Sequence, residues 1–323
     1  MRRTRYGSAR RAGIAALPPA GLLRPDRSGG TVIHSEASPV RNRLLVVAAA
    51  VLFSTGGVAV KAAALTGWQI ASFRSGVAAA ALLLLFPEAR RGFAWRMAPV
   101  SGAYAATLIS FVLANRLTTA ANAVFLQATA PVYVLLLAPW LLQENLKRSD
   151  AAYIVAVAGG LALFFVGRQP AVATAPSPGQ GNLVALASGV AYAFMLLGLR
   201  WLSRDKLRDS GMATVVLGNI LAFLAALPMA LAAPATGSAV RAGDVAVILY
   251  LGVVQVGLAY FCLTRAMRHI TAFEATAVLL LEPALNPVWV WLVHGEKPGV
   301  WALSGGGLIL SATLLNTWRQ TSA

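Results

Sequence analysis

The chain has 323 residues, of which 58% are hydrophobic and 12% charged, and its mean hydropathy is +0.69. A soluble globular chain carries about 25% charged residues, so this composition excludes a water-soluble core and points to lipid as the solvent. The formal charge of +16 does not signal nucleic acid, because nine of the 27 basic residues crowd the first 43 positions and most others fill short gaps between apolar runs.

Residues 1–42 are rich in Arg, Gly, Pro and Ser and read as a basic disordered tail. Arg2-Arg3 and Arg10-Arg11 superficially resemble a twin-arginine export signal, but Ala12–Leu23 is short and interrupted by Pro18-Pro19. A cleaved signal peptide is therefore not expected, and a start codon placed too early is an alternative. Ten apolar segments follow. The first five are Leu44–Leu65, Gln69–Phe86, Ala98–Leu113, Thr119–Leu142 and Ala151–Val166. The second five are Asn182–Leu202, Met212–Ala233, Val245–Met267, Thr271–His294 and Val300–Leu315. Runs of about 17–25 apolar residues fit membrane-spanning helices, and the lack of period-2 polar alternation excludes a β-barrel. The expected fold is an all-α integral membrane protein of ten transmembrane helices. Cys262 is the only cysteine, so no intrachain disulfide and no cysteine metal cluster can form.

A pattern occurs twice. Ala114-x-Arg116-x-x-Thr119-Ala120-x-x-Ala123 runs on through Pro131 to Glu144, and Ala266-x-Arg268-x-x-Thr271-Ala272-x-x-Ala275 runs on through Pro283 to Glu296, 152 positions later. Phe53…Lys61 and Tyr192…Arg200 share a spacing of eight, and Gly159-Gly160-Leu161 matches Gly306-Gly307-Leu308. The chain is thus divided into a first repeat at 43–167, a linker at 168–180, a second repeat at 181–317 and a short tail at 318–323. With the N-terminus in the cytoplasm, 21 Lys and Arg residues fall inside and six outside, so both termini are expected in the cytoplasm of a bacterial inner membrane. Five helices per half make the second half inverted relative to the first.

Phe53-Ser54-Thr55-Gly56-Gly57-Val58-Ala59-Val60-Lys61, Phe73-Arg74, Gln127-Ala128-Thr129-Ala130-Pro131 with Gln143-Glu144, and Leu281-Glu282-Pro283 with Gly295-Glu296 resemble the EamA family of the drug/metabolite transporter superfamily. The resemblance covers about residues 44–316. One departure is Phe53, where the family usually has Trp. The resemblance implies export of amino acids, other metabolites or drugs.

Glu282 is the sharpest candidate for the working site, since it lies mid-segment. A charge at bilayer depth costs about 3 kcal/mol on insertion scales. Pro283 beside it frees a backbone carbonyl. The carboxyl either titrates and couples proton entry to substrate exit, or pairs with a substrate amine, or only shapes the kink. The matching position in the first repeat is Ala130. Asn286 and Trp289 share a face with Glu282, while Trp289 and Trp291 also suit an interfacial belt. Gln127 and Thr129 before Pro131 either line a path or bond helix to helix. Lys61 and Arg74 attract a carboxylate or counter Glu282, or Lys61 snorkels to the interface. Tyr260 and Tyr104 offer hydroxyls or pack. Glu144 and Glu296 cap or pair locally at helix ends. Gly159, Gly160, Gly305, Gly306 and Gly307 permit close helix contact.

The leading reading is a secondary transporter, an exporter working by alternating access. Uptake or exchange by the same fold, and a non-transporting membrane component, are the alternatives. No P-loop appears, and no His-Glu-x-x-His or central histidine supports an intramembrane enzyme. No cofactor and no metal site are expected. The expected partners are a small-molecule substrate, the bilayer, and a proton or counter-substrate; a homodimer is compatible, and no nucleic acid is expected.

Overall fold

The computed structural model describes residues 39–141, 148–166, 170–204, 210–232, 241–266 and 278–322. Residues 1–38 of the basic tail, Glu144 and the second repeat's opening at 268–275 lie outside them, whereas Pro39–Asn42, expected in the disordered tail, are helical. Among the described residues the structure is helical, apart from turns and one isolated bridge between Val172 and Ala175.

In chain order the helices are α1 (Pro39–Ser54), α2 (Gly56–Ala62), α3 (Gly67–Leu85), α4 (Met97–Leu117), α5 (Ala120–Gln127), α6 (Ala130–Leu141) and α7 (Arg148–Val166). The later ones are α8 (Pro178–Arg204), α9 (Ser210–Ala232), α10 (Ala242–Leu249), α11 (Ala259–Ala266), α12 (Leu281–His294) and α13 (Val300–Ser322), with a π-helical stretch Tyr250–Leu258 joining α10 to α11. Several pairs are pieces of one span. Of the ten expected spans, seven stretches among the described residues are long and apolar enough to cross a membrane: Val40–Ala62, Gly67–Leu85, Trp95–Leu117, Ala120–Leu137, Pro178–Leu199, Gly211–Ala232 and Ala242–Leu263. Ala151–Val166 and Val300–Asn316 are shorter apolar helices.

Local chemistry explains where the elements start and stop. Thr66 and Gln69 form a capping box on α3, the Thr66 hydroxyl accepting from the Gln69 amide at 3.3 Å and the Gln69 side chain accepting from the Thr66 amide at 3.0 Å. Thr119 caps α5 by accepting from the Asn122 amide at 3.2 Å. The break between α5 and α6 falls at Ala128 and Thr129, just before Pro131, and α12 begins just before Pro283. Each proline lacks an N–H and crowds the carbonyl four residues back, which ends the regular helix there. Gly295, with φ +67°, closes α12 in the left-handed conformation, and its N–H donates to the Trp291 carbonyl.

The packing is that of a protein solvated by lipid. Small residues sit inside: Ala49, Ala78, Ala114, Ala121, Ala193 and Ala222 are buried. Large apolar side chains such as Trp140, Leu84 and Val300 face outward, at 86%, 73% and 77% exposure. In water this pattern would be an aggregation surface; in lipid it is the expected outer face. Inside, Phe111, Phe125, Tyr153, Phe164 and Ile309 join α4, α5, α7 and α13. Val60, Ile70, Val112 and Leu251 join α2, α3, α4 and the π-helical stretch.

Candidate functional site

The first span is broken in its interior. α1 stops at Ser54, and α2 starts at Gly56. The Ser54 and Thr55 hydroxyls turn back to the Val51 and Leu52 carbonyls, each at 2.7 Å, satisfying groups that the break releases. Polar side chains from distant helices converge on this point. Trp289 Nε1 donates to Ser54 Oγ at 2.9 Å, Thr55 Oγ1 lies 2.7 Å from the Tyr250 hydroxyl, and Gln255 Nε2 donates to the Phe53 carbonyl at 3.4 Å. Asn286 packs on Gly57 so closely that any Cβ there would collide with its amide. Asn286 is fully buried, and among the described residues neither amide atom has a partner. A side chain at position 57 would therefore force the Asn286 amide on α12 to move. Trp289→Phe keeps the ring and removes the donor, so a loss of about 1 kcal/mol is expected, read as a lower thermal midpoint in detergent.

A second polar group lies deeper. Arg74 on α3 is 2% exposed, and its Nη2 donates to the Leu108 carbonyl, near the middle of α4, at 3.3 Å. Among the described residues its Nε has no partner and no carboxylate pairs with it. Around it stand Tyr104 and Tyr260, whose ring centres are 5.7 Å apart, while Asn219 donates to the Tyr104 hydroxyl at 3.3 Å. Phe53 closes edge-on against Tyr260 at 5.0 Å. Glu282, in the first turn of α12, is within electrostatic reach of the Tyr260 and Tyr192 hydroxyls. It is half-buried, and among the described residues nothing bonds its carboxyl. Tyr260 thus stands between a buried cation and a half-buried carboxyl that do not pair with each other.

A third group ties one end of the bundle. Lys61 Nζ lies 2.9 Å from Glu296 Oε2, with side-chain exposures of 3% and 5%. Glu296 Oε1 accepts from the Ala120 amide at 2.7 Å, at the N-terminus of α5, where a negative charge is favoured. Lys61 also donates to the carbonyls of Thr118, at 3.1 Å, and Thr174.

Against the sequence expectations, Asn286 and Trp289 do share a face, and that face meets the α1–α2 break. Gln127 donates to Ser188 at 2.7 Å, and Ser188 to the Thr107 carbonyl at 3.2 Å, so it ties α5 to α8 and on to α4. Lys61 does not snorkel, and Glu296 does not pair locally; each finds the other from 235 positions away. Sequence reasoning missed Gln255, Tyr250, Ser54 and Asn219. Tyr250 and Gln255 meet Thr55 and Phe53 only because the broken span of α1 and α2 lies beside the π-helical stretch, Ser54 meets Trp289 of α12, and Asn219 is brought to Tyr104 by the packing of α9 on α4. No spacing in the sequence signals any of these contacts.

The EamA-like transporter family model matches residues 42–166 and 179–318. An uncharacterized transporter of Clostridium kluyveri is 24% identical over 203 residues, which span 62% of this chain and 64% of that protein. A crystal structure of another protein aligns with a TM-score of 0.58 at 17% identity, over 87% of this chain and 99% of that one, a likeness of fold. The two matched stretches take in all but the ends and the short link between them, and with its apolar helices this chain is a multi-pass membrane protein that belongs to the EamA-like transporter family of the drug/metabolite transporter superfamily.

Proposed function

We propose that the chain is a secondary active transporter that exports a small metabolite, an amino acid or related compound, or a drug by alternating access. In this reading its ten segments form two inverted five-helix repeats around a path near the bilayer midplane. The observation that carries it is Glu282, a carboxyl at the start of a broken span, incompletely buried and unbonded among the described residues. Such a group is costly in a membrane and persists where it contacts a watery cavity or a ligand. The broken span at Thr55, with glycines pressed on by Asn286 and Gln255, supplies irregular backbone beside it, which membranes tolerate only where protein or a cavity covers it.

Glu282 then takes the coupling proton or a substrate amine, Arg74 and Tyr260 set the polarity of the opposite wall, and Asn286 and Trp289 position the α1–α2 break. Gln127 keeps α5 on α8. By the distribution of Lys and Arg, the chain sits in a bacterial inner membrane with both termini in the cytoplasm and the Lys61 end outward.

The test is direct. Metabolites that accumulate outside overexpressing cells relative to deletion cells are loaded into proteoliposomes containing the purified protein. Efflux should follow an imposed pH gradient and vanish when the gradient is collapsed. Equal efflux from protein-free liposomes for every candidate solute would end the transporter reading for this chain.

A further inference from the structure

The knot around Lys61 is more than a staple. It joins four stretches far apart in sequence: the end of α2, the turn between α4 and α5, the link at Thr174 and the end of α12. Arg116 fastens the same place, donating to the Val60 and Ala63 carbonyls at 3.4 and 3.2 Å. The His294 ring nitrogen Nε2 lies 2.9 Å from the Val58 carbonyl. One residue beyond it, Gly295 turns the chain in the left-handed conformation and delivers Glu296 to the N-terminus of α5.

A buried ion pair is a poor choice for stability alone, since apolar residues of like volume commonly hold as well or better. It does have a property that apolar packing lacks. Closed, both charges are satisfied: Lys61 by a carboxylate and two carbonyls, Glu296 by an ammonium and a backbone N–H. Opened to water, both charges are hydrated. Only intermediate separations, with the charges apart and still dry, are costly. Two discrete states follow, which is what a gate needs.

We propose that Lys61 and Glu296, with the N-terminus of α5 and the Thr174 carbonyl, form a lock that seals this end of the transport path, and that opening the end breaks the pair. The α1–α2 break and the Glu282 face of α12 lie inward of the knot on the same two helical spans that it joins. This inference rests on the alternating-access reading, and its test separates the two.

The reporter is Asn286→Cys, ten residues before Glu296 and about 12 Å of helix inward from His294. It is placed in a full-length chain whose single native cysteine is replaced, C262A, in oriented proteoliposomes. A membrane-impermeant maleimide is added from either face. E296Q keeps an oxygen for the Ala120 amide and loses the charge; K61M keeps the length and loses the charge; K61R keeps the charge. Labelling from the Lys61 face should rise about tenfold or more in E296Q and K61M, because the closed state loses the interaction that sets it apart from the open one, and stay near the parental rate in K61R. Equal rates across monodisperse variants overturn the lock. A measurement on the unaltered protein is independent of variant folding. Amide exchange at 120–123 should proceed in concert with 61–63 and 294–296 if they open together; exchange of 120–123 on its own overturns the proposal. If the reporter is labelled in the parent from the opposite face only, and in every variant likewise, the lock alone falls. If efflux from proteoliposomes of the unaltered protein does not exceed that from protein-free liposomes, alternating access falls with it.

Discussion

Glu282→Gln is expected to abolish proton-driven transport in proteoliposomes while leaving the protein at least as stable as its parent. The two halves of this expectation have one physical source. An ionised carboxyl within a membrane span costs about 3 kcal/mol on insertion scales, and among the described residues no donor bonds Glu282 to offset that cost. Removing the charge removes the cost. A structural carboxyl would behave oppositely, because its loss would leave a donor buried without its acceptor, a change that destabilises by about 1–3 kcal/mol. Thermal midpoint and transport rate therefore form a paired readout. A parental rate with intact proton dependence would take Glu282 out of coupling. A lowered midpoint with a parental rate would make it a structural group that only shapes the kink at Pro283.

The second large effect lies far from that site. Gly305→Leu is expected to prevent assembly of a monodisperse protein, whereas Gly307→Leu is tolerated. A Cβ at Gly305 would stand 2.5 Å from the Gly160 carbonyl oxygen and 2.7 Å from the Phe164 ring, so α7 and α13 cross backbone to backbone. The obstructing atom is main chain and cannot rotate away, so the two helices must separate. Overpacking in a tight core typically costs about 1–3 kcal/mol, and a rigid backbone neighbour places this site at or above the upper end. At Gly307 nothing lies within 4 Å of the added atom, and at Gly159 only the Leu308 side chain does, at 3.9 Å. Size-exclusion profiles of the two leucine variants, expressed side by side, give the comparison. Comparable monodisperse yields would show that the α7–α13 crossing accommodates a side chain.

These glycines show what could be read from the sequence. Gly159, Gly160, Gly305, Gly306 and Gly307 look alike as a run of small residues in apolar helices, and the run does mark a close helix contact. Which members touch depends on the crossing point, a tertiary property. Likewise, hydropathy and the paired prolines suffice to place the seven long apolar spans found among the described residues and the breaks before Pro131 and Pro283, because both are local consequences of backbone chemistry. The break at Thr55 was hidden: Ser54-Thr55-Gly56-Gly57 is a recognisable motif, but its effect depends on Gln255 and Asn286 pressing against glycine. The duplication placed Lys61 and Glu296 near helix ends, and a helix end in lipid ordinarily suggests snorkelling. Only the tertiary meeting of the C-terminal ends of α2 and α12 turns those two residues into neighbours. Arg74 was expected to attract a carboxylate or counter Glu282; its guanidinium instead reaches the Leu108 carbonyl near the middle of α4, because a long side chain on one span can reach the centre of the next.

The link at 170–177 is fixed at two points by its own backbone. The Thr174 carbonyl accepts from Lys61, and the Ser177 amide donates to the Leu117 carbonyl at 3.0 Å. Surface connections usually tolerate changes of length. This one has a set distance to cover between α8 and the knot, so lengthening it there shifts a ligand of the ion pair rather than a free loop. An epitope tag or protease site inserted between Thr174 and Ser177 is thereby an alteration of the knot itself, and a reporter intended to be silent belongs elsewhere on the chain.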